Sequence, residues 1–163
     1  MHIAARFAIS SAAASVVPPV LLLVLIFALS GGELQTDVAG LMGMVAWLVS
    51  VAHLVALWLP VFFFLQRSGR SQWSTVTTTG FLCGAIPIAI FSLPTTRPGY
   101  SSSRYWSGTF VETYRNGEPT IYAWLEGAAI SFLCGLFGVV AAVTYWRLWL
   151  LLSSKANHHA GNA

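Results

Sequence analysis

The chain alternates between long apolar runs and short polar breaks, and the runs have the length of membrane-crossing helices. Four stand out, at residues 7–29, 38–65, 73–94 and 122–150. A helix needs about 20 apolar residues to cross a hydrocarbon core of about 30 Å, and every run reaches that length. The first break holds Gly31-Gly32 with Glu33 and Asp37; the second is the basic turn Gln66-Arg67-Ser68-Gly69-Arg70. Only residues 95–120 form a sizeable polar region. The pattern predicts an all-α membrane protein: a four-helix transmembrane bundle in a single domain, 1–163, with one external loop.

The last run carries its own boundary marks. Trp124 near its start and Trp146 near its end are about 33 Å apart on a helix, which places aromatic rings at both faces of a bilayer. In the first run Pro18 and Pro19 remove two amide donors, which predicts a kink there. Within the external loop, Thr109 to Arg115 alternates in character, and Asn116-Gly117 is the preferred two-residue hairpin turn. A short β-hairpin is expected, with 118–122 as the returning strand and Pro119 as its weak point.

Composition agrees with lipid as the main solvent: 56% of the 163 residues are hydrophobic and 8% are charged, against about 25% charged in soluble domains. The net charge of +3 rests on scattered arginines, so nucleic acid is not an expected partner. Those arginines report topology instead. Arg6, Arg67, Arg70, Arg147 and Lys155 fall on one side, whereas Arg97, Arg104 and Arg115 belong to the long loop. The positive-inside bias then puts both termini in the cytoplasm, for a multi-pass protein of a bacterial inner (plasma) membrane with a periplasmic loop. The competing reading of the first run is a cleaved leader, with Ala28 and Ser30 before Gly31. Cys83 and Cys134 lie inside apolar runs and are expected to be free thiols.

Few residues offer chemistry. His53 falls near the middle of the second run, where an ionisable side chain should face the bundle and find a partner. The expected partner is the carbonyl of Cys83, freed because Pro87 has no amide hydrogen. Glu126 lies about one turn inside the last run, within reach of Arg97, Arg104 or Arg115. Gly80 and Gly84 in the third run, and Gly127, Ser131 and Gly135 in the fourth, are spaced to let two helices approach closely. Tyr105, Trp106 and Arg115 are the loop's candidate contact residues. His158-His159 makes too small a ligand set for a metal, and no phosphate loop, nucleophile elbow or paired-carboxylate site is present. Neither catalysis, a metal nor a cofactor is expected.

The middle of the chain resembles a loose group of small four-span bacterial inner-membrane proteins of unknown function. The likeness rests on His53, Pro60, Arg67 and Gly69, then Gly80, Phe81, Gly84, Ala85 and Pro87, and on Gly135, Gly138 and Tyr145-Trp146. It implies four spans and no activity, and residues 95–120 lie outside it. The leading functional expectation is a non-catalytic protein acting through contacts, of an accessory, assembly, stress or immunity type, with a membrane or periplasmic protein as partner. A small oligomeric transporter or channel using His53 and Glu126 is the alternative, and a quinone-linked membrane redox protein a second.

Overall fold

A computed structural model of the chain describes residues 3–29, 36–106 and 108–160. Glu33 lies outside the described residues, as do the side chains of Asp37, Lys155, His158 and His159. Four rods are long and apolar enough to cross a membrane: Ile3–Leu29, Val38–Arg67, Trp73–Phe91 and Ile121–Ser153. The first is α1 (Ile3–Leu29). The second is composite: α2 (Thr36–His53), a π-helical stretch at Leu54–Trp58, and α3 (Leu59–Arg67). The third is α4 (Trp73–Phe91) and the fourth belongs to α5 (Ile121–Ala160).

Prolines shape two of these rods. Helix α1 runs unbroken through Pro18 and Pro19, and both are buried together with Ser10, Ala14 and Ser15. The carbonyls that the prolines leave without donors are thus on the protein side, where lipid does not meet them. In the second rod, Pro60 cannot offer an amide to the carbonyl of Ala56, and the helix widens just before it. There the Leu59 amide bonds to the carbonyl of Leu54, five residues back. The apolar pattern carries no mark of this extra-wide turn.

The break after α3 is closed by glycine. Gly69 has φ +69°, its amide bonds to Gln66 O at 3.2 Å, and the Arg70 amide bonds to Leu65 O at 3.0 Å. That is the paired bonding of a left-handed helix cap, and it turns the chain back into α4 within a few residues.

All four rods meet at the end where α3 finishes and α4 begins. Ala14, Leu54, Trp58, Leu59, Phe62, Val76, Ala142 and Tyr145 form one buried cluster there. Phe62 and Tyr145 have no exposed surface, and their rings meet edge to face at 4.7 Å. Trp149 stacks on Tyr145 at 6.3 Å, and the Arg6 guanidinium lies 4.7 Å over Trp149. On the next face Trp73 meets Trp146 at 5.7 Å, with Arg147 over both rings.

At the other end sits a three-stranded antiparallel sheet in the order β1 (Ser102–Trp106), β2 (Thr109–Arg115), β3 (Glu118–Pro119). This corrects the hairpin expected from the sequence. The main hairpin is β1–β2, with Tyr105 opposite Phe110, and the strand expected at 118–122 is reduced to two residues. The reason is Thr120. Its amide still bonds to Thr113 O at 3.0 Å, while its carbonyl already accepts the Ala123 amide at 3.1 Å, so the ladder ends where α5 begins. The Asn116-Gly117 turn has φ +51° and +91°, as a two-residue hairpin turn requires. It is clasped by Arg97-Pro98-Gly99-Tyr100, a turn with Gly99 at φ +74°, through Arg97 N to Gly117 O at 2.8 Å and Gly117 N to Tyr100 O at 2.7 Å.

Candidate functional site

Helices α4 and α5 lie against each other along small residues. A side chain on Gly80 would bring its first carbon to 2.5 Å from Ala142 Cβ and 2.9 Å from Gly138 O. One on Gly84 would run into the Cys134 carbonyl, and one on Gly138 into Gly80 O. The other members of the series serve different contacts: Gly135 seats the Phe81 ring, and a side chain on Gly127 would bring its first carbon to 3.0 Å from Ser92 O. Ser131 donates to Gly127 O at 2.7 Å and is 3.3 Å from Ser92 Oγ, which holds the outer ends together. Gly138 makes the closest approach in this seam; it stands three residues after Gly135 rather than four, which hides it from a four-residue spacing rule. Pro87 is part of α4 and only half-buried.

Helix α2 packs against α1, where a side chain on Gly43 would meet Leu23 at 3.1 Å, and it stands apart from the α4–α5 pair. The gap is a cavity of about 600 Å³ between α1, α2, α4 and α5. Its lining is overwhelmingly apolar, with Pro18 and Pro19 from α1, Cys83 and Gly84 from α4, and Cys134 and Gly138 from α5. Ser50, His53 and Trp58 line it from the second rod, and the Trp58 indole nitrogen is buried without a hydrogen-bond partner among the described residues.

His53 is half-buried, and its Nδ1 is 2.9 Å from the carbonyl of Val49 on its own helix. This replaces the expected bond to Cys83 O; His53 and Cys83 line the same cavity, but from helices that the gap holds apart. Because a carbonyl oxygen can only accept, Nδ1 carries the proton, which leaves Nε2 as the ring nitrogen not engaged by Val49. The wide turn begins at the next residue, Leu54, so the histidine sits where α2 leaves the four-rod core.

Glu126 is elsewhere. It pairs with Arg104 of β1, is mostly buried beside that more exposed guanidinium, and does not line the cavity. The pair fastens the sheet to α5, helped by Trp106 against Tyr122 at 6.3 Å. Arg115 bonds to Glu112 at 2.5 Å and remains largely exposed. Tyr105 points away from these anchors: it is 63% exposed and meets Phe110, 79% exposed, at 5.4 Å across the strands. Of the loop residues singled out in the sequence, Trp106 is therefore an anchor, while Tyr105 and Arg115 present themselves outward; Phe110 joins them.

Both cysteines are free thiols, and among the described residues no group of three His, Cys, Asp or Glu side chains could hold a metal ion. What the arrangement offers chemically is an imidazole in an apolar groove at one place and an aromatic surface at another. Compared with protein-family models, with curated proteins and with solved structures, the chain matches none, so a functional reading rests on this geometry alone.

Proposed function

We propose that this is a non-catalytic protein of the bacterial inner membrane that acts through contact, presenting its sheet to a membrane or periplasmic protein. The observation that carries the reading is the exposed Tyr105–Phe110 pair on a sheet pinned to α5 by the Arg104–Glu126 pair. Rigid aromatic surface with an arginine at its rim is the composition of a contact patch, since such rings bury area at little conformational cost. The orientation proposed has both termini in the cytoplasm. It draws support from the count of arginines close to the spans, with Arg6, Arg67, Arg70 and Arg147 at the four-rod end against Arg97, Arg104 and Arg115 in the long loop.

Transport along His53 and Glu126 has less support, because the carboxylate is paired and lies off the cavity that the histidine lines. A photo-crosslinking side chain at Tyr105 or Phe110, compared with one at lipid-exposed Val24, tests the contact reading in cells. A discrete adduct from the sheet positions alone is expected. Adducts from neither sheet position, together with loss of phenotype in His53→Leu, would reject it.

A further inference from the structure

The cavity between α2 and the α4–α5 pair is lined almost wholly by apolar side chains, with His53 and Ser50 among them. Its volume of about 600 Å³ lies within the range of small-molecule pockets, about 300–1,000 Å³.

The lining defines the occupant further. Helix α2 contributes from Leu41 to His53, and the second rod continues to Trp58 at the closed end. His53 stands 15 residues from Val38 and 14 from Arg67, so it is close to the middle of the span. No Lys, Arg, Asp or Glu lines the groove, so nothing there compensates a charged headgroup at that depth. The occupant must be neutral. With Nδ1 committed to Val49 O, the neutral form of His53 has its lone pair on Nε2, which pairs with a donor from the occupant. Ser50 lies three residues away on the same face of α2 and also lines the groove, adding a hydroxyl that can accept or donate. Phe137 and Trp58 add aromatic rings to the lining. A neutral headgroup with hydroxyl donors on a flat ring, attached to an apolar tail, meets each of these conditions. Phospholipid and fatty-acid heads, which stay at the interface, do not.

We infer that the groove binds an isoprenoid quinol, with a ring hydroxyl donating to Nε2 of His53 and the tail lying along α2 towards Leu41. This inference is independent of the contact surface proposed above, and it concerns binding alone.

The test uses the full chain in mild detergent, with decylubiquinol, decylubiquinone and n-decanol as probes. Saturable binding of decylubiquinol is expected, about tenfold tighter than decylubiquinone, whose ring oxygens can only accept. His53→Phe should erase that preference, and His53→Gln, which keeps an acceptor, should retain part of it. Ala46→Trp, on the groove face of α2, should abolish binding of both ring compounds while the protein stays monodisperse. The inference is overturned if binding is not saturable, if n-decanol competes as well as the quinol, or if His53→Phe or, should that variant not fold, Ala46→Trp leaves the quinol affinity unchanged.

Discussion

Arg6 donates a hydrogen bond to the Ser153 hydroxyl, joining positions 147 residues apart in the chain. The same guanidinium covers Trp149, so the two outermost rods are tied where all four converge. Arg6→Ala removes both interactions and should lower stability by about 1–2 kcal/mol, read from unfolding in mixed micelles. Arg6→Lys keeps the charge but loses the flat group, and is expected to recover less than half of the loss.

The glycine seam gives a sharper contrast. Gly84→Ala puts a methyl group against the Cys134 carbonyl, a backbone atom that cannot step aside. A cost of about 1–3 kcal/mol is expected, with more for Gly84→Leu. Gly40→Ala has nothing within 4 Å of the new carbon and should be neutral or slightly stabilising. Equal stability of Gly84→Ala and the parent in a thermal scan would count against this packing.

Phe62 is enclosed by Trp58, Phe63, Tyr145 and Trp149. Phe62→Ala should cost about 3–5 kcal/mol through lost contacts and the hole left behind. Because every rod borders this cluster, unfolding should stay cooperative in the variant, with the same shape of transition at lower denaturant.

Glu126→Gln is expected to be mild. The partner guanidinium is largely exposed, so the pair should contribute under about 1 kcal/mol to stability. The effect should appear in the loop instead, as faster proteolysis between β1 and α5. A complete loss of the protein's cellular phenotype with an intact loop would revive the transport reading.

Gly117→Val should disturb the sheet and spare the bundle. Its φ is +91°, and the added carbon would lie 2.6 Å from Arg97 O. Limited proteolysis is expected to cut residues 95–120 readily while the helical signal in circular dichroism is unchanged.

The four rods were legible because an apolar run of spanning length has few alternatives in a chain of this composition. Their mutual arrangement was legible only where chemistry is local. Gly80 and Gly84 announce close approach by lacking side chains, and Asn116-Gly117 announces its turn by tolerating positive φ. Strand β1 was missed because Ser-Ser-Arg-Tyr-Trp reads as loop until β2 pairs with it. The His53 partner was misjudged because depth along a helix says nothing of sideways separation, and α2 stands away from α4 at that level. Pro60 marked a missing donor, but a proline's defect can be absorbed as a kink, a break or a widened turn. Which of these occurs depends on what Trp58 and Leu59 must reach in the core, and that is information held by the other helices.

Thr120 closes a strand ladder with its amide and starts α5 with its carbonyl, so no slack residue separates the two. Force applied to the periphery through Tyr105 or Phe110 is therefore delivered as rotation or thrust to the longest rod in the molecule. The glycine seam joins that rod to α4, so sheet, α5 and α4 form one continuously packed path from the loop region into the bundle.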